Sequence, residues 1–120
     1  MQDRAVSASF PSTFTRRDER FDLASALERY DTTCTRLVDT WFDMDLYADF
    51  RKQLEAIRQH AMTVPALTVF SLQLAIAHFE LVSTLWQDAS VGVSAARLEE
   101  VKMRHAMAVE AMRAGAAGGH

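Results

Sequence analysis

Twenty-one consecutive residues, from Gln59 to Phe79, carry no formally charged side chain, and Pro65 lies near the start of this run. Proline is tolerated in the first turn of a helix, because the N–H that it lacks would have no intrahelical partner there. The run therefore predicts a helix over residues 65–87 with most of its surface covered by protein. The fold must therefore bury most of this helix surface, either within a chain of 120 residues or against another protein.

The same run is predicted to be too short to span a bilayer. Fourteen residues separate Pro65 from Glu80. They correspond to about 21 Å of helix, whereas the hydrocarbon core is roughly 30 Å thick. The segment from Met1 to Ser12 has no apolar stretch of the length that a secretory signal needs. We therefore expect a cytoplasmic protein that does not bind a membrane.

Composition indicates one ordinary globular domain, with 49% hydrophobic and 24% charged residues. Cys34 is the only cysteine, so no disulfide can form within the chain. Thirteen Lys and Arg residues are outnumbered by sixteen Asp and Glu, which gives a net charge of -3. This balance disfavours nucleic acid as a partner, since nucleic-acid binding usually requires a basic face.

Apolar residues predict four helices, over residues 18–42, 45–62, 65–87 and 94–113, with mobile tails at 1–17 and 114–120. In the first block they alternate at spacings of four and three, which is a helical pattern; the seam comprises Leu23, Leu27, Tyr30, Cys34, Leu37, Trp41 and Met44. A second seam, Tyr47, Phe50, Leu54, Ile57 and Ala61, is displaced by one residue, or about 100°. We therefore predict a break at residues 43–45, with Asp43 or Asp45 as the cap of the second helix, and Ser94 as the cap of the fourth.

Four helices with short connections predict an all-α, antiparallel four-helix bundle in a single domain. In the third helix, only a narrow stripe is predicted to face water; its residues are Gln73, Ala77, Glu80, Thr84 and Gln87. The apolar remainder favours a homodimer, with simple burial in the centre of the bundle as the alternative. The predicted dimer contacts are Phe70, Leu74, Leu81 and Leu85.

Two histidines are the best candidates for chemistry. In antiparallel neighbours joined by a turn near residue 90, His78 and His105 lie within about one turn of the same height. The main interpretation is a pair of core histidines hydrogen-bonded to neighbours, and the alternative is a cofactor, metal or small ligand held between helices three and four. No Glu-x-x-His pair, phosphate-binding loop or nucleophile motif occurs in the sequence. We therefore expect neither enzymatic activity nor a cofactor.

Aromatic residues gather at one pole of the predicted bundle, where helix one ends, helix two begins and helix three ends. The default interpretation is that they cap the core, and the alternative is that four of them, Trp41, Phe42, Tyr47 and Trp86, are contacts for a protein partner. Trp41 and Phe42 are adjacent, so they cannot both face one core. By elimination, the sequence favours a non-enzymatic accessory, regulatory or adaptor protein that binds another protein.

Overall fold

The computed structural model of the protein describes residues 21–40 and 43–118. Within these ranges the chain forms four α-helices and no strand. The helices are α1 (Leu23–Asp39), α2 (Met44–Ala61), α3 (Thr68–Ser90) and α4 (Ala95–Gly118), with a 3₁₀ turn (Pro65–Leu67) leading into α3. The predicted all-α class is confirmed. The predicted tail at residues 1–17 lies outside the described residues.

Capping side chains determine where the helices begin. The Asp22 carboxylate accepts hydrogen bonds from the backbone N–H of Ser25 at 3.3 Å and from its hydroxyl at 2.7 Å. This cap starts the described α1 at Leu23, whereas the sequence predicted a start at residue 18, which lies outside the described residues. The Asp43 carboxylate caps α2 by accepting from the N–H groups of the next two helical residues. The predicted break at 43–45 is thus confirmed, and its cause is the cap.

The helices pack in cyclic order. α1 lies along α2 and α3 along α4, while the contacts of α1 with α4 and of α2 with α3 join the two pairs. Most of the two predicted seams enters the core, where Leu27, Tyr30, Phe50, Leu54 and Ile57 are fully buried, although Met44 is exposed. Leu74 and Leu81 of α3 and Val101 and Met112 of α4 are fully buried against them. This arrangement agrees with the predicted four-helix bundle, and it buries one polar cluster that involves α1, α3 and α4.

The last helix extends further than its sequence predicted. Residues 114–118 belong to α4 rather than to a mobile tail. Glycine allows this packing, because a Cβ atom at Gly115 would lie 2.6 Å from Cε2 of Phe70. Ala116 also packs against the core. Glycine in a helix is normally unfavourable by about 1 kcal/mol. At Gly115, however, the absence of a side chain leaves room for the Phe70 ring.

The rotation of α3 about its axis differs from the predicted one. Two residues of the predicted water-facing stripe, Ala77 and Thr84, are buried, with exposed fractions of 7% and 4%. The Thr84 hydroxyl donates to the backbone carbonyl of Glu80 at 2.7 Å, which allows it to face protein. Glu80 in turn contacts Arg97 and Arg104 of α4. The polar groups of this stripe are therefore satisfied by α3 itself and by α4, as well as by water.

Candidate functional surfaces

A buried hydrogen-bonded cluster joins three helices. The Tyr30 hydroxyl of α1 lies 2.8 Å from Nδ1 of His78 on α3 and 2.8 Å from Nε2 of His105 on α4. The exposed fractions of the three side chains are between 0 and 2%. The predicted common height of the two histidines is confirmed, because both rings contact one oxygen atom.

Cys34 extends this cluster into a chain of four polar groups. Its Sγ atom lies 3.6 Å from Nδ1 of His105. The Tyr30 hydroxyl has one proton, so it donates to one histidine and accepts from the other. If it donates to His78, then His105 donates from Nε2 and accepts the thiol proton at Nδ1. If it donates to His105, then His105 donates from Nδ1 to the sulfur and His78 donates to Tyr30. Either order satisfies every contact.

Burial keeps the cluster uncharged at neutral pH. It lowers the pKa of His78 to about 4, with help from the nearby His105, and it lowers the pKa of His105 to about 4. Burial also raises the pKa of the Cys34 thiol to about 12 and raises the pKa of Tyr30. A thiolate nucleophile needs a lowered thiol pKa, and a histidine base needs a pKa near neutral pH. Both require more exposure or a favourable nearby charge. The cluster is therefore suited to holding α1, α3 and α4 in register.

Aromatic packing closes the cluster from the side of α2. The Phe50 ring lies 4.6 Å from the Tyr30 ring and 4.3 Å from the His78 ring, measured between centroids. Sequence reasoning found the two histidines and missed the tyrosine between them. The signal was present, because Tyr30 and Cys34 are four residues apart on the buried seam of α1 and their polar atoms need partners there.

The cluster does not present a ready ligand site. Across the described ranges, no group of three or more His, Cys, Asp or Glu side chains has metal-binding geometry. A cofactor held by both His78 and His105 would compete with the Tyr30 hydroxyl for one nitrogen of each ring.

Only two of the four aromatic residues predicted to contact a partner, Tyr47 and Trp86, belong to the described residues. Trp41 and Phe42 lie outside them. Tyr47 and Trp86 meet edge to face, with their ring centroids 5.6 Å apart. Tyr47 is half-buried, and the Trp86 side chain is 42% exposed. These two predicted contacts therefore form one pair, from which the Trp86 ring extends to the surface.

The four predicted dimer contacts pack inside this chain. Leu74 and Leu81 are fully buried, which corrects their assignment to a dimer surface. Phe70 and Leu85 are half-buried and pack against the same core. The prediction failed because α3 is apolar nearly all round. The periodicity of its sequence therefore does not indicate which side faces the bundle.

The apolar surface that remains open lies on the opposite side of α3 and on α4. Its large side chains have exposed fractions of 42 to 64%, and its members are Val69, Leu72, Ile76, Phe79 and Trp86 of α3 with Met103 and Met107 of α4. We call this set the α3–α4 apolar surface. The α3 members lie at helical spacings of three and four, and Ser83, also exposed, occupies the one position that is not apolar.

A groove between the two helices runs along this surface. Its volume is about 430 Å³, and Ile76, Ala77, Met107 and Ala108 are among the residues that line it. Small alanines allow the helices to approach closely, while the two large side chains form the outer walls. Met103 lies one turn before Met107 on the same face of α4. Gln73, Glu80 and Arg104 also line the groove, so polar groups lie among its apolar walls beside the exposed seam of α3.

Charged residues lie along the groove between the α3 and α4 members of the α3–α4 apolar surface. Glu80 lies 2.6 Å from Arg104 and 3.5 Å from Arg97, and Arg104 also lies 2.9 Å from Glu100. The hydrogen bond from Arg104 is the main cause that lowers the pKa of Glu80. Exposed ion pairs add only about 0 to 1 kcal/mol to stability. Their main effect here is to balance the charges that lie in the groove of the α3–α4 apolar surface.

Over residues 21–40 and 43–118, one segment is long and apolar enough to cross a membrane, Pro65–Ser90. In its most apolar window, 39% of the residues are buried inside the bundle. A core helix of a soluble protein satisfies the same criteria of length and composition. The segment contains Glu80 and Asp88, and its helix continues well past the first of them.

Comparison with known proteins gives no family assignment: the chain matches no protein-family model, no curated protein sequence and no solved structure.

Proposed function

We propose that this protein is a non-enzymatic accessory, regulatory or adaptor subunit that acts by binding protein through the α3–α4 apolar surface. The observation that carries the proposal is the exposure of seven large apolar side chains on α3 and α4, five of them along one face of α3. Contiguous apolar patches on soluble proteins mark interaction sites, whereas scattered apolar residues carry no such meaning. The core histidines support the same conclusion, because they are uncharged at neutral pH and enclosed by Tyr30 and Phe50.

Protein fits this surface better than lipid does. Interfacial helices that bind anionic membranes carry Lys and Arg on their polar face. Here Arg97 and Arg104 beside the surface are paired with Glu80 and Glu100. The whole chain has a net charge of -3. We accordingly propose a cytoplasmic protein that neither spans nor coats a membrane.

A cofactor-binding role is the weaker proposal. His78 and His105 do lie together between α3 and α4, but the Tyr30 hydroxyl already contacts one nitrogen of each ring. Visible absorbance and metal analysis of protein purified from its own host test this alternative. A stoichiometric chromophore or metal ion would support it and contradict the non-enzymatic binding role.

Site-specific photo-crosslinking in the host cell tests the binding role. A photoreactive residue replaces Leu72 on the surface or, as the matched control, Gln59, which is exposed on α2. We expect the Leu72 position to give discrete crosslinked products that contain a second polypeptide, and Gln59 to give few. Equal and diffuse crosslinking at both positions would show that the surface does not bind protein.

A further inference from the structure

We propose that the α3–α4 apolar surface binds a second copy of this chain, with the two α3 helices antiparallel about a twofold axis between Ile76 and Phe79. This inference rests on the proposed function, because it names the protein that the surface binds. It places the contact on the face of α3 opposite to Leu74 and Leu81, which are buried inside each chain.

The spacing of the seam permits an antiparallel register. The exposed seam of α3 consists of positions 69, 72, 76, 79, 83 and 86, so its intervals read three, four, three, four, three from either end. A seam of this kind superimposes on itself when one helix is reversed. Antiparallel docking about its midpoint aligns Val69 with the partner's Trp86, Leu72 with the partner's Ser83, and Ile76 with the partner's Phe79.

Side-chain size favours the same arrangement. Each antiparallel pairing places a larger side chain against a smaller one, which is the condition for even filling of an interface between helices. Parallel docking in register would place Trp86 against Trp86 and Ser83 against Ser83. The first pair is crowded at one end of the seam, and the second leaves a gap with two hydroxyl groups at the neighbouring position. The reversed helices avoid both faults.

The borders of the seam are also compatible with a second copy. On one side, reversal brings the exposed Gln73 beside the partner's Glu80, so an amide N–H donor faces a carboxylate acceptor. On the other side, Ala75 is buried within its own chain, and the half-buried Val82 adds an apolar edge to the seam. Neither border opposes like charges.

The size of the surface matches a stable dimer. Exposed fractions of 42 to 64% on seven large side chains correspond to roughly 100 Å² each, or about 700 Å² for one protomer. Standard protein interfaces bury about 800 Å² per partner. Met103 and Met107 lie at the edge of this area, where their flexible side chains can adapt to the partner.

Disulfide crosslinking of the purified protein tests both the partner and the direction. The variants are Leu72→Cys and Ser83→Cys, and the wild type is the control, because its Cys34 is buried. In the antiparallel register, position 72 faces the partner's position 83, whereas identical positions are about 16 Å apart along the helix axis. We expect the mixture of the two variants to form a mixed disulfide dimer at least tenfold faster than either variant alone. Fast crosslinking of Ser83→Cys with itself would overturn the antiparallel register while leaving a dimer.

Sedimentation equilibrium between about 1 and 100 µM tests the partner itself. The wild type is expected to be dimeric, and Ile76→Glu to dissociate at least tenfold more readily. Ala56→Glu, at an exposed position of α2, is the control and should not change association. Circular dichroism verifies that each variant is folded.

A monomeric wild type would overturn this inference. If the monomer also binds vesicles of phosphatidylcholine and phosphatidylglycerol, the surface binds lipid rather than a second copy. Crosslinks of Leu72 to a different protein in the host would still support the proposed function.

Discussion

Lowering the pH from 7 to 5 is expected to destabilise the folded protein by about 4 kcal/mol, because two neutral histidines lie in its core. The pKa of His78 and that of His105 are each lowered from 6.5 to about 4 by burial. Between these values, the unfolded chain binds a proton on each ring and the folded chain does not. Each histidine then reduces the free energy of unfolding by about 1.4 kcal/mol per pH unit.

The sign and the window follow from these values. Above pH 6.5 both rings are neutral in both states, so they add no pH dependence. Their effect grows as the pH falls through 6.5 and is complete below about 4. At pH 5 it amounts to about 2 kcal/mol for each ring, a large part of the 5 to 15 kcal/mol that stabilises most domains. Asp22 and Glu80, whose pKa values are lowered from 3.8 and 4.5, lose their contributions only at lower pH.

Urea unfolding followed by circular dichroism between pH 7 and 5 measures this slope. The matched variants are His105→Gln, which retains a polar atom near Nε2, and His78→Asn, which retains one near Nδ1. Each variant is expected to reduce the slope by half or more, because His105 also contributes to the lowered pKa of His78. The slope is independent of any uniform loss of stability. A wild-type slope near zero, or an unchanged slope in both variants, would refute the reasoning.

Two further predictions concern packing in the core. Tyr30→Phe is expected to lower the free energy of unfolding by about 3 kcal/mol, because both core histidines lose a buried hydrogen-bond partner; an unchanged urea midpoint would contradict this. Gly115→Ala is expected to cost about 1 kcal/mol, because its Cβ atom would meet the ring of Phe70. In a Phe70→Leu background the same change should become neutral or stabilising, because alanine favours helix; no change of sign would show that the ring is not the cause.

Much of the fold was predictable because local features specify it. The slip between the two apolar seams predicted a break, and Asp43 at that break caps α2. Ser94 caps α4 as predicted, since its hydroxyl accepts a hydrogen bond from the N–H of Arg97 at 3.1 Å. The heights of His78 and His105 followed from the antiparallel turn and the rise of a helix. These results depend on spacing along the chain, which is visible in sequence.

The candidate surface was harder to predict because it depends on the rotation of one helix. A helix that is apolar nearly all round can bury any of its faces. In the folded chain, α3 turns Leu74 and Leu81 toward the core and leaves Ile76 and Phe79 exposed. Glu80 does not decide the rotation, because Arg104 of α4 reaches it from the neighbouring helix.

Over the described residues, the sequence by itself determined four helices, the break before α2 with the caps Asp43 and Ser94, and an unusually apolar third helix. Only the tertiary structure decided which face of that helix remains exposed and which oxygen joins the two histidines. Spacing and capping act within one helix, so they can be read from neighbouring residues. Rotation and the Tyr30 contacts depend on how side chains from three helices fill a shared space, and residues that are distant in sequence determine that packing together.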